Sequence, residues 1–215
     1  MIAYKGFLAD MTCTKGKGKF QYVIGETIQE GSSKCANTGL HCAENPLDCL
    51  DYYPLGEGNR YCLVEAMGSL DEDGVDSKIS CTQLKVVREL NLKQLCSAAI
   101  AYMIQHPLRS WKKNGRMTTV EADEAVGSGT GSLAIARGEN PRVRGRRGTA
   151  VGILKEKDGF FLAAKVGIVG EDIQPDTWYR LNEEGEWENE KEKCYVNTAY
   201  VYKTKGESNH STTGR

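Results

Sequence analysis

The stretch Gly39–Tyr53, GLHCAENPLDCLDYY, places the tightest local constraint on how this chain folds. Asn45 followed by Pro46 reads as an N-cap with proline at the first helical position, where its missing N–H costs nothing. Asp48 then falls in the first turn, where the helix dipole favours a carboxylate. Leu47 and Leu50 share a face at i, i+3 and can pin the short helix to a sheet. Two cysteines and a histidine lie in the same segment, so it is also the natural place to look for a site in the N-terminal half.

The flanking pattern is strand-like. MIAYKGF, FQYVIGETI (broken at Gly25), RYCLVEAMG and SKISCTQLKVVREL read as strands, separated by turn-rich or acidic connections such as PLGEGN and LDEDGVD. CTKGKGK reads as a solvated Gly/Lys loop without P-loop spacing. NLKQLCSAAIAYMIQHP reads as a helix: Asn91 and Gln94 make a capping box, Leu92, Leu95, Cys96, Ala99, Ile100, Met103 and Ile104 form the apolar stripe, and Pro107 ends it.

Glycine spacing dominates the second half. Gly131, Gly138, Gly145 and Gly152 follow one another every seven residues, with Leu133, Ile135, Val143 and Val151 between them. Glycine turns joined by short alternating strands are the mark of a β-roll coil; a plain glycine-rich loop is the other reading. ILKEKDGFFLAAKVG reads as a hairpin across Lys157–Asp158–Gly159 and TWYRLNEEGEWE as another around Glu184–Gly185. YVNTAYVYK reads as a last strand and KGESNHSTTGR as a polar, disordered tail. The expected fold is α+β: an N-terminal mixed sheet with a short and a long helix over 1–108, then a Gly-rich β-roll-like segment with C-terminal hairpins over 118–203, and a tail over 204–215.

The net charge of −1 argues against a generally basic nucleic-acid binder, but local charge is uneven. Arg137, Arg142, Arg144, Arg146 and Arg147 crowd one segment. If it is extended, Arg142, Arg144 and Arg146 project to one side, forming a ridge suited to phosphates or an acidic protein surface. The glutamates Glu183, Glu184, Glu186, Glu188, Glu190 and Glu192 offer the alternative that the two runs neutralise each other.

Eight cysteines would suit a disulfide framework in a secreted protein. MIAYKGFLAD has no basic region followed by an apolar core, and no stretch is long enough to span a bilayer, so reduced, packed thiols in a cytoplasm are expected. Cys35, His41, Cys42 and Cys49 lack the paired spacing of a zinc site, and adjacent His41 and Cys42 would point to opposite faces of a strand. No catalytic signature with the right context is present, and neither a metal nor a cofactor is expected.

Three resemblances add to this. SLAIARG and TAVG resemble the head repeats of trimeric autotransporter adhesins, which run at fourteen residues per coil and imply a homo-oligomer. YKG on the first strand, the helix ending in Tyr52–Tyr53 and a later strand carrying Glu65 resemble the layout of ADP-ribosyltransferases. That likeness implies NAD as substrate, with Lys5 (in place of the usual Arg or His), Tyr53 and Glu65 as the counterparts of the catalytic set. YKGF, FQYVIGETI, GLHCAENPLDCLDYY (GFHACENPLD-like in relatives), RYCLVEAMG and IQPDTWYRL resemble a family of uncharacterised phage and prophage proteins. This third resemblance implies a non-enzymatic accessory protein in the host cytoplasm, binding a host protein or ribonucleoprotein. Counter-defence, such as inhibition of a CRISPR effector, is its most concrete form. The arginine segment is the expected contact surface, with nucleic acid as a further partner.

Overall fold

The computed structural model describes residues 1–14 and 18–190. Part of the CTKGKGK loop, Cys194, Glu192, the YVNTAYVYK strand and the polar tail therefore lie outside the described residues. The strands are β1 Ile2–Phe7, β2 Thr12–Cys13, β3 Phe20–Gln21, β4 Thr27–Gln29, β5 Leu40–Ala43, β6 Arg60–Glu72 and β7 Lys78–Leu90, with a 3-10 helix Pro46–Asp51 between β5 and β6. Helix α1 Leu92–Gln105 follows, then β8 Lys113–Gly115, β9 Thr118–Gly127, β10 Leu133–Gly145, β11 Ala150–Lys157, β12 Phe160–Ile168, β13 Tyr179–Leu181 and β14 Trp187–Asn189.

The expected α+β balance does not hold: the structure is mostly β, 51% strand against 11% helix, and the helical elements named among the described residues are one short 3-10 helix and one 14-residue α-helix. The reason is that β6 and β7 are each 13 residues long and take in stretches that read as loops. Leu70, Asp71 and Glu72, from the acidic stretch, pair with Cys81, Ser80 and Ile79, past a bulge between Met67 and Leu70. Gly68 sits at that bulge with φ +75°, and a Cβ there would collide with Thr82 Oγ1.

The N-terminal sheet is antiparallel throughout rather than mixed, in the order β4-β7-β5-β1-β6, and β6 pairs back onto β7, so the sheet closes on itself. Closure leaves β1, β5, β6 and β7 without a long free edge. The 3-10 helix starts where Asn45 and Pro46 indicate: Asn45 Oδ1 accepts the Leu47 N–H at 3.1 Å, and Leu47 and Leu50 are buried. Asp48 joins it to the start of β7 through the Ser77 hydroxyl at 2.7 Å.

The second sheet winds. β9, β10 and β11 are parallel neighbours, yet five residues join the first pair and four the second. Straight parallel strands need a crossover of about a dozen residues or more. Here β9 and β10 bend instead, at a register break between Arg137 and Arg142 opposite Asp123 (φ 61°), and the chain returns as a coil. Leu133 pairs with Thr118, 15 residues back, and with Ala150, 17 residues on, so the pairing follows neither seven nor fourteen residues. At one corner the buried Ser132 and Thr149 hydroxyls stack 3.1 Å apart. The hairpin across Asp158–Gly159 pairs Lys157 with Phe160, and β13–β14 forms the other.

Helix α1 has the capping box, with Asn91 Oδ1 accepting the Gln94 N–H at 2.9 Å and Gln94 Oε1 accepting the Asn91 N–H at 3.0 Å. Its buried face, with Leu95, Cys96, Ala99, Ile100 and Met103, packs on β11 and β12. Gly152 permits that approach, because a Cβ there would lie 2.7 Å from Ile100 Cδ1 and 2.9 Å from Cys96 Sγ. One core thus runs from Ala3 and Phe7 through α1 to Leu133, Ile135 and Leu154, while Ala134, Ala136, Val143, Val151 and Ile153 fill a second core on the other side of the coil. Burial on both faces is what parallel strands require. No described helix is long and apolar enough to cross a membrane.

Candidate functional site

Within β10 and the corner after it, Pro141, Val143 and Gly145 are buried, whereas Arg142 is half-buried and Arg144 and Arg146 are exposed. Arg142 and Arg144 therefore share the outer face, as the two-residue period of a strand dictates, and Arg146 is exposed in the bend that follows β10. The corner is pinned from several sides. Thr149 Oγ1 donates to the Arg146 carbonyl at 2.8 Å, Gly148 N–H donates to Val169 O at 2.9 Å, and Arg146 N–H donates to Gly127 O at 3.3 Å. Arg146 and Arg147 are thus presented from a backbone held by buried hydroxyls.

Trp178, half-buried just before β13, organises the arginines. The guanidinium carbons of Arg142 and Arg144 lie 4.6 and 4.8 Å from its ring centroid. Each contact is worth about 0.5–1 kcal/mol at an exposed site and holds a planar cation in one orientation. Arg142 is also neutralised, since it donates to Glu124 and, at 2.9 Å, to Glu190 Oε2. Its guanidinium is accordingly held above the usual arginine range, first by Glu124. Arg144, Arg146 and Arg147 have no carboxylate partner among the described residues; Arg147 donates only to the Gly170 carbonyl at 3.3 Å. The glutamate run is spent partly elsewhere, Glu186 on Lys165 and Glu188 on Arg180.

Arg137 is a different kind of residue. It is 4% exposed, makes two 2.9 Å bonds to the Glu156 carboxylate, donates to Pro107 O at 3.2 Å and lies 5.1 Å from the Trp111 ring centroid. It ties the end of α1 to β11 and is not part of the outer face.

The residues of the ADP-ribosyltransferase likeness divide between two faces. Lys5 points into the closed sheet, where its Nζ donates to the His41 carbonyl and lies 5.2 Å from the Tyr22 ring centroid. Burial works against its charge, but Tyr22, Cys13, Cys42 and Tyr53 outweigh it and hold the ammonium above the usual lysine range. Tyr53 packs on the other face of β1, so closely on Gly6 that a Cβ there would lie 2.6 Å from the ring. Glu65 alternates with the fully buried Val64 and nearly buried Ala66 and so takes the opposite, outer face of β6. A groove of about 310 Å³ lies elsewhere, lined by Leu55, Tyr61, Leu90 and Leu92 with the Arg60–Glu89 ion pair.

Seven cysteines, Cys13, Cys35, Cys42, Cys49, Cys62, Cys81 and Cys96, are free and buried. Burial pushes the Cys49 and Cys62 thiols up to about 12. Cys81 Sγ donates to the Leu40 carbonyl at 3.2 Å, and the neighbouring Cys42 and Cys81 thiols act on each other so that the first is raised and the second lowered. Among the described residues no group of three or more His, Cys, Asp or Glu side chains could hold a metal ion.

Reading the sequence alone misses Trp178, Trp111, Glu124 and Glu156. Each meets its arginine only through strand pairing or loop packing, and no local spacing announces it. No curated protein and no solved structure matches the chain. Residues 1–98, which take in the whole closed sheet, the 3-10 helix and the first half of α1, match the family model of a domain of unknown function, DUF7666.

Proposed function

We propose that this chain is a non-enzymatic binding protein that engages a phosphate-bearing macromolecule through Arg144, Arg146 and Arg147. The most concrete form of the reading is a phage accessory protein that occupies the RNA-carrying surface of a host defence effector. The observation that carries it is the set of three exposed arginines without carboxylate partners among the described residues, beside a Trp178 ring that fixes Arg144 in orientation. A guanidinium fork held in place loses less entropy on meeting a phosphate than a free side chain does. The phage resemblance and the separation of Lys5 from Glu65 favour binding over NAD chemistry.

The test is fluorescence anisotropy with a labelled single-stranded RNA, comparing the wild type with the Arg144→Glu, Arg146→Glu, Arg147→Glu variant. All three positions are exposed, so the fold should survive. Loss of at least about tenfold in affinity is expected. Equal affinity of the two proteins, or no binding by either, ends the proposal.

A further inference from the structure

Past the bend in β9 and β10, where β13 and β14 join them, the outer side chains form two rows that cross the strands. In the first row Glu124 lies opposite Arg142 and Arg180 opposite Glu188, and the Val143–Tyr179 pair sets Arg142 beside Arg180. This row is neutralised along its length: Arg142 is bonded to Glu124 and Glu190, and Arg180 to Glu188 at 2.8 Å. The second row is built differently. Val126, 44% exposed, lies opposite Arg144, and the same Val143–Tyr179 pair puts Trp178 on the other side of Arg144. The Arg144 guanidinium lies over the Trp178 ring and has no carboxylate partner among the described residues.

We propose that this second row, Val126–Arg144–Trp178, is a stacking platform for one unpaired nucleobase, and that the ligand of the arginine face is a single-stranded nucleic acid. The proposal rests on the reading that Arg144, Arg146 and Arg147 meet phosphates, and it adds the group that lies between the phosphates. A guanidinium is planar, with two faces and a rim of N–H donors. Trp178 takes one face, and the exposure of Arg144 leaves the other open beside apolar Val126. Unpaired bases stack on arginine planes as they do on aromatic rings. Neighbouring strands lie ~4.8 Å apart, so the row spans about 10 Å from Val126 to Trp178, room for one base. The rim of Arg144 stays available to a phosphate, and Arg146 and Arg147 follow in the bend just beyond.

An acidic peptide is the competing ligand for an unpaired guanidinium. A carboxylate on this row would sit between Val126 and Trp178 and lose water on both sides, with one cation to compensate it. A base gives up little there, because its faces are apolar and its polar edges stay wet. A duplex hides its base faces in its own stack and offers this row only phosphates. The contrast between the two rows therefore selects an unpaired base over both alternatives.

The test is fluorescence anisotropy of the full chain with labelled probes of equal length: single strands of RNA and of DNA, an abasic DNA strand, a DNA duplex and a polyglutamate peptide. The wild type should bind either base-bearing single strand about tenfold more tightly than the abasic strand, and more tightly than the duplex. Arg144→Lys keeps the charge but not the plane. It should bring the base-bearing strands down to the abasic level and leave abasic binding and its salt dependence unchanged. Arg146→Gln removes a phosphate contact away from the platform and should weaken base-bearing and abasic strands by the same factor. Equal wild-type affinity for base-bearing and abasic strands overturns the platform and leaves the phosphate reading standing. So does an Arg144→Lys protein that keeps the tenfold preference, or tighter binding of the duplex than of the single strands. No binding of any nucleic acid, or tighter binding of polyglutamate than of all of them, overturns both.

Discussion

Replacing Glu156 by Gln should destabilise this protein far more than replacing its partner Arg137 by Met. The Arg137 guanidinium is almost fully buried, with three bonds in all, two to Glu156 and one to Pro107 O, and its Nη1 has no hydrogen-bond partner. Removing one member of a buried ion pair costs about 3–5 kcal/mol, because the other charge stays buried and uncompensated. The Glu156 side chain retains 23% exposure, and the glutamine carbonyl can still accept one bond, so the expected loss is about 2 kcal/mol. Arg137→Met removes the buried charge and the unpaired Nη1 together, keeps an aliphatic chain against Trp111 and lets Glu156 turn to water. Its expected cost is below about 1 kcal/mol, and the double variant should match Arg137→Met alone. Urea unfolding followed by tryptophan fluorescence gives the midpoints. For a chain of this size the Glu156→Gln loss corresponds to a melting temperature lower by roughly 4–8 °C. If Arg137→Met proves as costly as Glu156→Gln, the anchoring account of this pair is refuted.

Gly6→Ala should lower stability by about 1–3 kcal/mol, since the new methyl meets the Tyr53 ring, and thermal melts will show it. Asn91→Ala removes the α1 capping box and should cost about 1 kcal/mol by urea titration. Cys49 and Cys62, buried with thiols pushed up to about 12, should alkylate at pH 8 only after denaturant is added, as followed by mass spectrometry of the labelled peptides. Asp172 is held below the usual carboxylate range, first by its bond to Lys93. A depressed folded pKa contributes stability above the ordinary aspartate value of about 4 that is lost as pH falls through the folded value. Lys93→Met should therefore lose less stability on acidification than the wild type when midpoints at neutral and acid pH are compared.

What could be read from the sequence was local. The Asn45–Pro46 start and the Asn91–Gln94 capping box are contacts within four residues, and both stand in the structure. The two-residue alternation around Val143 puts Arg142 and Arg144 on one face of β10, because it needs only an extended backbone, but Arg146 lies in the bend after the strand, where that alternation no longer applies. The fold class failed where pairing at a distance overrode local polarity, as when Leu70–Glu72 join a 13-residue strand beyond the Gly68 bulge. The four evenly spaced glycines proved to have separate reasons rather than a common period. Gly152 admits α1, and Gly131, with φ +82°, turns a coil corner. Arg137 looked like its arginine neighbours, and only the return of β11 beside β10 reveals that it faces Glu156.

The claim that Arg144, Arg146 and Arg147 meet phosphates is tested most directly by the salt dependence of RNA affinity. Three neutralised phosphates on a single strand should give a slope of about −2 for log K against log salt concentration. The triple glutamate variant should give a slope near zero. A wild-type slope near zero, or a slope of about −2 that the variant retains, would contradict the account.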